Sequence, residues 1–197
     1  VLGMFVVKTS DRWWLFGAFI LSLVLAWGEN FAVISDLFFN YFPGYNKFRA
    51  VSMTLVIAQL VVPVLAVLGL KSFVEMEDKA AAKKSLMIAS GIVGGLCLVF
   101  AVVPGAFLNF LSDSDTSLIG TKYEWLVNAL QEDRSSQVSS DAMRSLVFIL
   151  LTAALLFVVN LGKLKAGVSA LIIAVLVLVD LWQVDQRYLN DDDFVKK

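Results

Sequence analysis

Histidine is absent from this 197-residue chain, and cysteine occurs once, as Cys97 inside an apolar run. There is therefore no imidazole to act as a general base, no disulfide within the chain, and none of the usual zinc ligand sets; no metal site is expected. Charged residues make up only 17% and sum to a net charge of −1, so there is no basic field to hold nucleic acid. Three prolines, Pro43, Pro63 and Pro104, leave long stretches free to be helical. What fills the chain is apolar: 59% of residues are hydrophobic, against roughly 45–50% in soluble domains. Mean hydropathy is +0.80, and the charges cluster between apolar runs. This is the composition of an all-α polytopic membrane protein, a transmembrane helical bundle whose partner is the lipid bilayer.

The pattern predicts about five spans, near 13–28, 50–70, 85–107, 145–161 and 166–184, followed by a soluble segment over 185–197. Trp13, Trp14 and Trp27 sit at the ends of the first span, as aromatic belts do. At sixteen residues that span is marginal for about 30 Å of hydrocarbon. Pro63 is expected to kink the second span, and Pro104-Gly105 to close the third. Gly91, Gly94 and Gly95 permit close helix packing; no strand precedes them, which excludes a phosphate-cradling loop. Residues 108–144 read as a polar loop, within which Trp125, Leu126, Ala129 and Leu130 have the spacing of a surface helix over 122–132. Ser139-Ser140-Asp141 offers an N-cap for the fourth span, and Ser10 or Asp11 one for the first. No leader peptide is read ahead of Lys8. A start at Val1 and an end at Lys197 read as a piece cut from a longer protein.

The stretch that joins the first two spans, Asp36 to Met53, combines aromatic residues, a Pro43-Gly44 turn and two cations, Lys47 and Arg49. A short interfacial helix is expected over 34–41. Lys47 and Arg49 suit a lipid-linked phosphate, which Arg grips with paired N–H groups. They equally suit anionic headgroups, or pairing with Glu29 or Asp36. Asp36 and Glu29 are candidates to act as a base or to orient an acceptor hydroxyl, or else are solvated loop charges. Tyr41 and Tyr45 are candidates to stack on a sugar, or belong to the aromatic belt. Asp180 closes the apolar run of the last span. It either faces a polar cavity or sits at the interface beside Trp182, with Arg144 or Arg187 as partner. Arg134, Asp141 and Arg144 are expected to fix the loop before the fourth span by capping and ion pairing.

Orientation is read from cation density. The segments 1–12, 71–84 and 162–165 are short and rich in Lys and Arg, which puts the N-terminus in the cytoplasm and the tail outside.

The runs W-W-L-F-G-A-F-I-L-S-L-V-L-A-W-G-E-N-F and F-F-N-Y-F-P-G-Y-N-K-F-R-A-V-S-M resemble the YfhO-like bacterial membrane proteins, as do D-A-M-R-S-L-V-F-I-L-L and D-L-W-Q-V-D-Q-R-Y-L-N-D-D-D-F. The likeness covers nearly all of the chain and is closest to the long versions of Bacteroidetes. That family is similar to C-type glycosyltransferases. The resemblance implies transfer of a sugar from a polyprenyl-phosphate donor to an envelope polymer or protein acceptor, on the outer face of the bacterial cytoplasmic membrane. It implies a catalytic carboxylate in an earlier loop that this piece lacks; the substrate-binding set of Lys47, Arg49, Asp36, Tyr41 and Tyr45 is read from the chemistry of those residues, and no organic cofactor is expected. The alternative reading is a transporter or a non-catalytic membrane scaffold. A transporter should carry charges in mid-span, whereas Gln59 and Pro63 are the only marked interruptions of the second span.

Overall fold

The computed structural model describes residues 1–8, 10–28, 32–47 and 51–188; Glu29 and Arg49 lie outside the described residues. Every regular element among the described residues is helical. Four helices are long and apolar enough to cross a membrane: Ser52–Glu75, Lys79–Val102, Glu124–Asn160 and Ala166–Gln186. The protein is thus an all-α, multi-pass membrane protein. The chain divides into two units, Val1–Ser85 and Leu86–Lys197.

In the first unit, α1 (Leu2–Val6) and α2 (Asp11–Ala26) pack on α4 (Leu55–Glu75). Two glycines let α1 and α4 meet backbone to backbone. A Cβ on Gly3 would stand 2.6 Å from the carbonyl oxygen of Leu65, and one on Gly69 would stand 2.8 Å from Cα of Gly3. Close backbone approach is how helices gain van der Waals contact where the surrounding lipid is as apolar as the side chains. Val6 and Val7 are buried beside this contact. The last carbonyls of α1, on Met4 and Val7, accept hydrogen bonds from Nη1 of Arg12, at 3.3 and 2.7 Å. A guanidinium here satisfies orphan acceptors and opposes the negative end of the helix. Ser10 occupies the N-cap position of α2, yet its side chain makes no capping bond.

Helix α2 ends at Ala26 after 16 residues, about 24 Å, which falls short of the hydrocarbon thickness. Trp13, Trp14 and Trp27 stand exposed at its ends, where a belt would put them. Helix α3 (Ala32–Tyr41) forms where a short helix is expected over 34–41, and the turn that follows contains Gly44 at φ 84°. Only glycine adopts that conformation readily. A 3₁₀ turn, Val51–Thr54, leads into α4 and is tied to α2 where the Thr54 hydroxyl donates to the carbonyl of Ser22 at 3.3 Å. Helix α4 continues through Pro63. A short link then starts α5 (Lys79–Val102), where the carboxylate of Asp78 accepts from the N–H groups of Ala80 and Ala81, at 2.9 and 3.0 Å. This cap begins the third span six residues before the expected start at Ser85.

In the second unit, α5 stops at Val102 because Val103 precedes proline. Pro Cδ disfavours the helical region for the residue before it, and Val103 sits at φ −136°, ψ 60°. Pro104–Ala106 forms a 3₁₀ turn, and Phe107 folds its ring back on Phe100, with centroids 6.1 Å apart. A short helix, α6 (Asp113–Thr116), precedes α7 (Glu124–Asn160).

Helix α7 corrects the expected boundaries. The surface helix and the fourth span are one helix of 37 residues, and Ser139, Ser140 and Asp141 lie in its interior rather than at an N-cap. No Gly or Pro occurs between Glu124 and Asn160, so nothing local forces a break. The amide of Gln137 also donates to the carboxylate of Asp133 one turn earlier, at 3.0 Å. At about 55 Å, α7 exceeds the hydrocarbon thickness, so its polar N-terminal half projects from the apolar layer. Gly162, at φ 72°, ends the helix: its N–H meets the carbonyl of Val159 at 2.9 Å, and that of Lys163 meets Val158 at 3.3 Å. Helix α8 (Ala166–Tyr188) then returns antiparallel against α7.

Candidate functional site

Where α7 emerges from its apolar half, Arg134, Gln137, Val138 and Asp141 fall at i, i+3, i+4 and i+7, on one face of the helix. The segment that precedes α6 lies over this face. Together they enclose an open cleft of about 580 Å³, lined also by Asn109, Phe110, Leu111 and Ser112.

Arg134 holds the strap in place. Its Nη1 donates to the carbonyl of Phe110 at 2.7 Å and to Oδ2 of Asp115 at 2.5 Å. The same carboxylate oxygen accepts the N–H of Ser112 at 2.9 Å, the capping-box contact that starts α6. Asp115 is 5% exposed and is matched by charge and hydrogen bonds. The Arg134 hydrogen bond, reinforced by the Ser112 N–H, holds its carboxyl below the usual carboxylate range, although burial opposes the shift.

Inside the cleft, Oδ1 of Asn109 accepts from the N–H of Leu111 at 3.0 Å, which leaves its amide nitrogen as a donor. Gln137 spends its nitrogen on Asp133, which leaves its carbonyl as an acceptor. The carboxylate of Asp141 adds a second acceptor to the lining. The cleft therefore offers a donor and acceptors in a lining that also includes Phe110.

Asp141 also belongs to a second cluster further along α7. Arg144 reaches Asp180 of α8 with Nε 3.4 Å from Oδ1, and Asp141 with Nη2 4.0 Å from Oδ1. The contact with Asp180 is ionic rather than a directed hydrogen bond, because Nε lies off the hydrogen-bond direction. Of the two partners expected for Asp180, Arg144 is the one observed; the side chain of Arg187 lies outside the described ones. Of the predicted polar group, Asp141 and Arg144 of α7 and Asp180 of α8 are therefore brought together by ion pairs, whereas Arg134 pairs separately with Asp115.

The residues expected to bind substrate are arranged differently. Asp36 and Lys47 are exposed, and Tyr41 is 81% exposed. Tyr45 turns inward, 7% exposed, with its ring edge-on to Phe38 at 5.8 Å. Among the described residues, no group of three or more His, Cys, Asp and Glu is placed to share a metal ion.

Asp115, Asn109 and Gln137 are the polar residues that sequence reasoning passed over. Ser112-x-x-Asp115 carries a readable signal, the spacing of a capping box. Asn109 and Gln137 carry none, because their importance arises only where the strap crosses α7. No protein-family model, no curated protein and no solved structure matches this chain.

Proposed function

We propose that this chain is part of the membrane region of an envelope glycosyltransferase that uses a polyprenyl-phosphate-linked sugar, and that the cleft on α7 receives the sugar. The observation that carries the reading is the lining of the cleft: Asn109 presents a donor and Gln137 an acceptor, with Asp141 and Phe110 also in the lining, at the point where α7 leaves its apolar half. Closely spaced hydroxyls are met by such planar polar side chains, and an aromatic residue in the lining is compatible with a sugar ring. A polyprenyl chain would lie along the apolar half while its headgroup reaches the cleft. The orientation inferred from the cations puts the cleft on the extracytoplasmic face of a bacterial cytoplasmic membrane, where an envelope polymer or protein acceptor would be met.

Transport is the weaker reading. The sequence from Leu55 to Leu70, from Ser85 to Val102, from Ser145 to Asn160 and from Ala166 to Val179 contains no charged residue. A non-catalytic scaffold is favoured by one observation, namely that Arg134 is committed to Asp115 and Phe110.

The test is binding of a polyprenyl-phosphate sugar to the full-length protein in lipid nanodiscs, with Asn109→Ala and Gln137→Ala as probes. The reading expects saturable binding that each variant weakens, and turnover that falls with it. No binding to the wild type, or equal binding by both variants, would overturn it.

A further inference from the structure

Helix α3 has three environments around its circumference. Val33, Leu37 and Tyr41 recur every fourth residue and are 79%, 55% and 81% exposed. At about 100° per residue they occupy an arc of roughly 80°. Next to them, Ile34 and Phe38 turn toward the protein, where the Phe38 ring stacks on Phe42 at 5.4 Å and meets Tyr45 at 5.8 Å. Asp36 stands exposed on the remaining side, with Phe39 as an isolated exposed apolar residue of the ordinary kind.

We infer that α3 lies in the surface of the bilayer, with Val33, Leu37 and Tyr41 set among the lipid acyl chains and Asp36 turned to water. Its level is fixed by its neighbours. Phe38 and Tyr45 fasten α3 to the turn that leads to Ser52, where the next span begins, so the helix sits at the edge of the apolar layer rather than above it. Exposed Trp27, just past the end of α2, marks the same boundary. Lys47 is exposed in the 3₁₀ turn Tyr45–Lys47, and its charge complements lipid phosphates at headgroup level. An amphipathic helix held this way buries its apolar stripe by about 5–10 Å at the boundary of headgroups and acyl chains. On this arrangement Tyr41 is a lipid anchor, and Asp36 is the member of α3 available to a water-borne ligand.

The test is nitroxide scanning in the protein with Cys97→Ala, reconstituted in vesicles of phosphatidylethanolamine and phosphatidylglycerol. Single labels at 33, 36, 37 and 41 are read for collision with oxygen, which concentrates in lipid, and with a water-soluble nickel chelate. A label at Leu60, exposed on α4, calibrates the depth scale. The expected result is oxygen-dominated collision at 33, 37 and 41 and nickel-dominated collision at 36. Nickel-dominated collision at 37 and 41 would place α3 in water, and protection from both reagents would place it under protein; either outcome overturns the inference.

Discussion

Arg144 of α7 and Asp180 of α8 meet at 3.4 Å at matching heights on the two arms of a helical hairpin. Each lies about 21–24 Å along its helix from the turn at Gly162. The pair therefore sits near one edge of the apolar layer. There a charge without a partner costs more than in water, and the partners together fix the register of the arms.

Removing one member should expose that cost. Arg144→Leu leaves Asp180 facing an apolar neighbour and should destabilise the hairpin by about 1–2 kcal/mol, since both groups keep some contact with solvent. The double variant Arg144→Leu with Asp180→Leu should recover part of the loss. A double-mutant cycle by thermal unfolding in detergent measures the coupling; purely additive effects would show that the pair contributes nothing.

The glycines should divide into two classes. Gly3→Ala and Gly69→Ala force a methyl group into backbone atoms of the facing helix and should each cost about 1–3 kcal/mol. Gly91→Ala and Gly95→Ala meet no atom within 4 Å and should be neutral, or stabilising by up to about 1 kcal/mol through helix propensity. Unfolding midpoints of the four variants in one detergent separate the classes.

The strap over α7 should loosen in acid. The carboxyl of Asp115 titrates below its ordinary value in the folded protein, so its contribution is complete above the unfolded value of about 3.9. That contribution is lost as the pH falls through the lower folded value. Hydrogen exchange over residues 109–116 should therefore lose protection only below about pH 4. In Arg134→Ala, the same segment should be poorly protected already at neutral pH.

The cleft makes a graded prediction. Asn109→Ala and Gln137→Ala each remove one hydrogen-bonding group from the lining and should each weaken sugar-donor binding by about 0.5–1.5 kcal/mol, roughly 2- to 10-fold. Neither substitution touches the Arg134–Asp115 contact, so residues 112–116 should keep their protection from exchange in both, while Asn109→Ala also frees the N–H of Leu111.

The helical class, the apolar runs of four of the five expected spans and the existence of a helix at α3 were legible because they depend on the local period and length of apolar runs. The same holds for the stop at Pro104 and the turn at Gly44, where single residues restrict the backbone. The run Gln137 to Arg144 misled for an equally local reason. Serines and an aspartate resemble a helix start, but without Gly or Pro the helix continues through them, and one long helix replaces a loop, a surface helix and a span.

What sequence alone determined is that this chain seeks lipid and does so as helices, since a bilayer leaves a backbone few other ways to satisfy its polar groups. Tertiary structure alone decided which polar side chains meet. The bond from Arg134 to Asp115, the choice of Arg144 as partner for Asp180, and the contact of Gly3 with Gly69 each join residues distant in the chain. No local periodicity encodes such pairings; they follow from the crossing and register of packed helices.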